Sequence, residues 1–170
     1  MTLITAQMRA AIGTTVSERT SFPIDPSDIR RWAIAVYWPD PPPSAFVDEE
    51  AARASPHRGL VAPEEFNPFA WLAAREGGAL DRAGGADVNR LERALGIPGP
   101  DLSFQLNGGL EAAYKERMRP GDVITSTTTL ADYQERAGRL GPMLFTTTED
   151  HWVNQAAATV KRARMTLIRY

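Results

Sequence analysis

An α+β fold, with an antiparallel sheet wrapped around one long helix, is what this 170-residue chain predicts. Two observations carry the expectation. Helical periodicity dominates the first half, where Ile29, Trp32, Ala33, Val36 and Tyr37 form one apolar stripe. From residue 103 the period changes to two, through stretches rich in Thr, Val, Leu and aromatics.

Residues 16–24 read as a first strand. Asp25-Pro26-Ser27-Asp28 is a helix start: Asp25 caps, Pro26 suits the first helical position, and Asp28 complements the positive helix end. The helix ends near Trp38, because Pro39 and the Pro41–Pro43 run cannot continue it. Asp48 to Arg53 forms a short helix capped by Asp48. A second major helix, the central one, runs from about Glu64 to Arg75, with Phe66, Phe69, Ala70 and Ala73 on its apolar face; Pro68 sits in its second turn or marks a late start. Residues 76–100 are rich in Gly, Pro and charge and read as one long excursion within a single domain, with a short helix at Asp87–Leu95.

The expected strands of the second half are Leu110–Arg117, Asp122–Tyr133, Pro142–Val153 and Ala157–Arg169. Turns fall at Arg119–Asp122, Gly138–Gly141 and Asn154-Gln155. Four consecutive strands in a meander are too few to close a barrel, so an edge or face is left for another subunit to cover.

Composition narrows the function. A net charge of −2 gives no electrostatic case for nucleic acid. No apolar run approaches the roughly 18–20 residues that span a bilayer, and the N-terminus lacks the pattern of a signal peptide; a cytoplasmic location is the default. The absence of cysteine removes thiolate metal sites and a Cys nucleophile. With His57 and His151 as the only histidines, a three-His metal centre within one chain is impossible.

The stretch Asp40 to Pro63, DPPPSAFVDEEAARASPHRGLVAP, resembles the active-site segment of the MaoC-like (R)-specific hydratases and dehydratases, specifically their N-terminal dehydratase-type domain. The motif there is roughly D-x-N-P-x-H. The resemblance places Asp40 on the catalytic Asp, Pro42 on the Asn, keeps the Pro as Pro43, and puts Ala45 where the His belongs. It extends through Leu106–Glu111 with Arg119–Asp122, and through Thr125–Thr166 with Gly141–Phe145 and Trp152–Gln155, so it covers most of residues 8–170. It implies a hot-dog fold and an acyl-thioester hydratase or dehydratase component that handles trans-2-enoyl or (3R)-hydroxyacyl groups on coenzyme A or acyl carrier protein. No cofactor is implied. Partners are the acyl thioester and a second hot-dog subunit, as homodimer or as a heteromer whose other chain supplies the Asp/His pair.

The resemblance implies site roles, each with an alternative. Asp40 is a surviving catalytic carboxylate or a turn residue. Gly59 matches the glycine ahead of the central helix, so its N–H is either an oxyanion donor or merely a point of backbone freedom. His57 is a displaced proton donor or a loop histidine, and His151 is a strand residue of open orientation. Asn107, Gly108 and Gly109 permit close ligand approach or mark a bulge. Lys115, Arg117 and Arg119 form a basic stripe for coenzyme A phosphates or a solvated strand face. The alternative functions are a non-catalytic acyl-coenzyme A binding or scaffold protein, and a hot-dog thioesterase using Glu64 or Glu65.

Overall fold

The computed structural model describes residues 2–72, 87–139 and 141–170. Strands β1 (Thr15–Thr20), β2 (Gln105–Tyr114), β3 (Thr125–Gly138), β4 (Gly141–Val153) and β5 (Thr159–Arg169) form one five-stranded sheet in the order β1-β3-β4-β5-β2. Every pairing is antiparallel. The meander holds for β3-β4-β5 only. β2 does not pair with β3 as expected but lies against β5, because the connection 115–124 is long enough to cross the end of the sheet.

The strand limits shift for local reasons. The β3 strand starts at Thr125, not Asp122. The Asp122 carboxylate accepts from the Arg119 N–H at 2.8 Å and from Gln155 Nε2 at 3.0 Å, which folds 119–122 into a turn. β1 stops at Thr20; beyond it the Ser21 hydroxyl accepts from the Ile124 N–H at 2.9 Å, and Pro23 has no N–H to give a ladder.

The helix α2 (Pro26–Tyr37) begins and ends where expected: Asp25 accepts from the Ser27 N–H at 2.8 Å and Pro26 occupies the first turn. A 3₁₀ turn follows at Ser44–Phe46, then α3 (Glu49–Ala54), whose cap Asp48 accepts from the Glu50 and Ala51 amides. Two more short helices are α1 (Ala6–Ala10), capped by Thr5 and not anticipated, and α4 (Arg90–Ala94) within the excursion.

The helix expected from about Glu64 does not start there but has the late start that Pro68 marks: Leu72 is helical, and the residues before it are not. Residues 64–71 run as successive turns closed by Phe66 N–Pro63 O, Ala70 N–Asn67 O and Leu72 N–Phe69 O bonds. Pro68 cannot donate to a helical ladder, and the Asn67 side chain takes the Phe69 N–H at 3.0 Å instead. The expectations that fall on residues 73–86 lie outside the described residues.

The helices and the 60–72 segment cover one face of the sheet, called the inner face below. Ile29 and Ala33 of α2, Phe66 and Phe69 pack over Ile124 and Trp152. Phe69 meets Trp152 edge-on, with centroids 5.0 Å apart. At the other end of the inner face Ile4 and Met8 pack on Leu130, Tyr133 and Leu144, joined by Leu91 of α4 and Leu95 at its C-cap.

A buried ion pair fastens that second cluster. The guanidinium of Arg169, 2% exposed, grips the carboxylate of Glu92, 0% exposed, through bonds of 2.7 and 2.8 Å. It also donates to the Val88 carbonyl and the Thr146 hydroxyl, while the Tyr133 hydroxyl donates to Glu92 at 2.6 Å. Burial pushes the Glu92 carboxyl up, but the hydrogen bonds from Arg169 and Tyr133 and the Arg169 charge outweigh it, and the net shift is downward. The same burial and the Glu92 charge push the Tyr133 phenol up.

Arg169→Met is therefore expected to destabilise the fold by about 3–5 kcal/mol, because it strands a buried carboxylate, and Arg169→Met with Glu92→Leu is expected to regain most of the loss. Urea denaturation of both variants measures it. Since the folded pKa of Glu92 lies below its unfolded value, the stabilisation is complete above the ordinary glutamate range. It is lost as pH falls through the folded pKa, and the double variant lacks that part of the acid dependence.

Candidate functional site

The α2 helix ends in a cis Trp38–Pro39 bond and a turn in which the Asp40 N–H donates to the Tyr37 carbonyl at 2.8 Å. Asp40 is exposed. The 3₁₀ turn then brings Ala45 half-buried against the core, with its carbonyl accepting from the Val61 N–H at 3.3 Å. A methyl group thus occupies the position from which the motif would have presented an imidazole, and it packs inward while Asp40 faces solvent.

Gly59 corrects the expected oxyanion donor. Its N–H donates to the Ala52 carbonyl at 2.9 Å, closing the C-terminus of α3, so the donor is spent and no helix starts at this glycine. Its φ of +157°, after Arg58 at +56°, turns the chain out of the helix. His57, half-buried, is part of the same closure: its N–H donates to the Ser55 hydroxyl at 3.1 Å and its carbonyl accepts from Arg119 Nη2 at 2.9 Å.

Lys115, Arg117 and Arg119 do not alternate on a strand, because β2 ends at Tyr114 and all three lie in the connection that follows. Arg117 pairs with Glu64 at 2.9 Å, which also occupies one of the two carboxylates a thioesterase reading would use. Lys115 is exposed. The structure therefore gathers His57, Gly59 and Arg119 in one corner and sets Arg117 against Glu64.

Asn107, Gly108 and Gly109 form a bulge in β2 opposite Leu167 and Thr166. A Cβ on Gly108 would stand 2.8 Å from Ile168 Cγ1, so the glycine answers to close strand packing. Gly108 and Gly109 border a hollow of about 480 Å³ with Arg136, Phe145 and Arg164. Alternation along β4 and β5 puts this hollow on the outer face, away from the helices. Gly108 and Gly109 therefore do not share this hollow with Gly59, while Asn107, opposite Leu167, has the inward register. His151 also lies on the outer face, its Nε2 3.0 Å from Thr159 Oγ1, beside a trough of about 730 Å³ walled by Thr127, Thr129, Glu149, Arg162 and Arg164.

The inner face holds a polar group that the sequence reading missed. Registers Ser126↔Trp152, Trp152↔Lys161 and Lys161↔Tyr114 set these side chains in one row across four strands. Asp150, in the adjoining row, accepts from Ser126 Oγ at 2.6 Å, Thr128 Oγ1 at 3.4 Å and Trp152 Nε1 at 2.7 Å. Lys161 Nζ lies 4.5 Å from the Trp152 ring and 5.3 Å from the Tyr114 ring. Burial holds the Lys161 ammonium below the usual lysine range, against the opposing charges of Asp150 and Glu65. Burial, with Glu65 and Glu64, pushes the Tyr114 phenol up. The alternation of β4 and β5 was a signal for this row, but only the register joins it.

A five-stranded antiparallel sheet in this order, with its helices packed on one face, is the hot-dog α+β class. The chain belongs to the FAS1-like dehydratase domain region family, which it matches over residues 10–163, and its fold is that of the MaoC-like dehydratases. It is similar to one chain of the ChsH1-ChsH2 complex from Mycobacterium tuberculosis, with a TM-score of 0.63 at 21% identity, covering 97% of this chain and 88% of that one. It is similar to a MaoC-like dehydratase from Rhodospirillum rubrum, with a TM-score of 0.56 at 22% identity over 94% and 92%. For the C-terminally truncated HadBC (3R-hydroxyacyl-ACP dehydratase) complex from Mycobacterium tuberculosis the values are 0.57 and 20% over 92% and 99%. Among curated proteins none matches the chain. Among the described residues no helix is long and apolar enough to cross a membrane, and no cluster of His, Cys, Asp or Glu has the makings of a metal site.

If the Gly59 amide closes α3, it exchanges slowly with solvent deuterium, at a rate comparable to the α3 amides. An amide waiting for a ligand oxygen exchanges at loop rates and is slowed on adding acyl-coenzyme A. Hydrogen exchange followed by NMR separates the two outcomes.

Proposed function

We propose that the chain is one subunit of an acyl-thioester hydratase or dehydratase, and that a partner hot-dog subunit supplies the Asp/His pair. The observation that carries the reading is Ala45. General acid–base chemistry on an enoyl thioester needs one group to take a proton from water as its oxygen bonds to C3, and a proton delivered to C2. Asp40 is the one group of the pair that this chain keeps, and its expected partner position holds a methyl group packed against the core.

The free edge of the sheet supports the second half of the reading. Residues 106–113 of β2 are all exposed, including Leu106 at 54% and Leu110 at 64%, and Phe104 just before the strand is 62% exposed. A long uncovered edge with apolar side chains is a surface for strand-to-strand pairing. Two of the similar structures carry the names of two-chain complexes, ChsH1-ChsH2 and HadBC, and the second is named a 3R-hydroxyacyl-ACP dehydratase. The reaction so written uses acid–base groups alone and no resident cofactor. Coenzyme A or an acyl carrier protein carries the acyl group, and the exposed Lys115 and Arg119 offer positive charge for its phosphates.

The test is hydration of crotonyl-coenzyme A by the purified chain and by the complex recovered from its native source. The isolated chain is expected to fall short of the complex by about 10²–10⁴-fold, the usual contribution of a general acid or base. Asp40→Asn in the complex is expected to change turnover by less than about threefold, since removal of a working base costs far more. Robust turnover by the isolated chain that Asp40→Asn abolishes would overturn the partner requirement. A complex that binds acyl-coenzyme A but never turns it over leaves a non-catalytic acyl-binding subunit, the reading that Ala45 also permits.

A further inference from the structure

Lys161 is a half-buried cation with nothing to hold. Its Nζ rests over the Trp152 and Tyr114 rings, yet among the described residues it makes no hydrogen bond and no ion pair. The neighbouring carboxylates act on it through charge alone: Asp150 takes its hydrogen bonds from Ser126, Thr128 and Trp152, and neither it nor Glu65 bonds to the ammonium. An ammonium on a partly desolvated sheet face, with three N–H bonds to give, strongly favours an acceptor oxygen.

The strands beside it describe what carries that oxygen. Running from Lys161 along β5, the inner-face residues are Ala163 and Met165, and their register partners on β2 are Ala112 and Leu110. The two alanines leave a low strip between the bulky row of Trp152, Lys161 and Tyr114 and the Met165–Leu110 pair. From Lys161 to Met165 the strip is about 13 Å long at the usual strand rise. Between β5 and β2 it carries no charge, Asp150 standing beside it on β4 opposite Ala163, and at Leu110 it reaches the open edge of β2. A cation at one end of an apolar strip has the shape of a site for a molecule with an acceptor head and an aliphatic tail.

We propose that Lys161 binds the acyl oxygen of an acyl ligand whose chain lies along Ala163, Ala112, Met165 and Leu110. The assignment rests on the acyl-thioester reading above, and it gives the thioester carbonyl a donor in place of the Gly59 amide, which is already bonded within the chain. The oxygen that Lys161 recognises belongs either to a thioester carbonyl or to a free carboxylate. The strip and the ammonium suit both, and the titration below separates them.

The test is calorimetric titration of the purified chain with dodecanoyl-coenzyme A, with the dodecyl thioether of coenzyme A, which lacks the carbonyl, and with dodecanoate. Wild type is expected to bind the thioester more tightly than the thioether by about 10-fold or more, the usual worth of a hydrogen bond to a charged group. Lys161→Met, which keeps the volume over Trp152 and Tyr114, is expected to bind both ligands alike, at the thioether level. A lowered carbonyl stretching frequency in carbon-13-labelled thioester on wild type, absent in Lys161→Met, is the sign of direct contact and is not produced by a change in packing alone. Thermal melting of Lys161→Met within a few degrees of wild type confirms that the fold persists, and Lys161→Arg, which keeps the charge, is expected to restore part of the discrimination. Tighter binding of dodecanoate than of the thioester assigns the site to free carboxylates. If wild type binds the thioester but Lys161→Met binds it equally well, the role of Lys161 is overturned while the acyl-thioester reading stands. If neither the wild-type chain nor its complex binds any of the three, both fall.

Discussion

The tie between Arg169 and Glu92 is the constraint on which much of this fold rests. One guanidinium at the end of the last strand reaches a helix from the excursion, a hydroxyl on β4, and, through the shared carboxylate, a phenol on β3. It makes the excursion a structural part of the domain and not an ornament on it. It also fixes which side of β5 is inside, since Arg169 points inward and alternation then carries Leu167, Met165, Ala163 and Lys161 to the same side. Burying two charges is costly, and what such a pair supplies best is a single register.

The same logic explains what was legible beforehand. Chain punctuation was readable because it is local: Asp25-Pro26 starts α2, Pro39 stops it, Asp48 caps α3, and the period of two marks the strands. Three things were not readable. The position of β2 beside β5 is a matter of crossover, and nothing in the sequence of 115–124 states it. The turns over 64–71 come from a competition between a helical apolar face and the Asn67-Pro68 pair, and the pair prevails. Arg169 and Glu92 look like ordinary surface charges until the register brings them together.

The candidate site shows the same division. The family motif made the loss of an imidazole at Ala45 visible at once, because it is a question of residue identity. Whether Gly59 had a free amide was a question of geometry, and α3 had already claimed it. The bulge at Asn107–Gly109 was one of two open readings, and the packing of Gly108 on Ile168 favours it. The row from Ser126 to Tyr114 needed four strands in register before it existed as a group at all. The chain keeps the architecture of its family with a methyl group at the motif's histidine position.

The open edge of β2 has a consequence for how such a chain lives in a cell. Its ten residues, QLNGGLEAAY, contain one charge, at Glu111, and neither a lysine nor a proline. These are the devices with which solitary edges protect themselves from one another. Made in excess over whatever covers it, the chain offers every other copy a strand to extend and so invites edge-to-edge polymerisation. A strand laid along that edge, from a second copy or from another chain, removes the hazard by pairing the exposed amides and carbonyls.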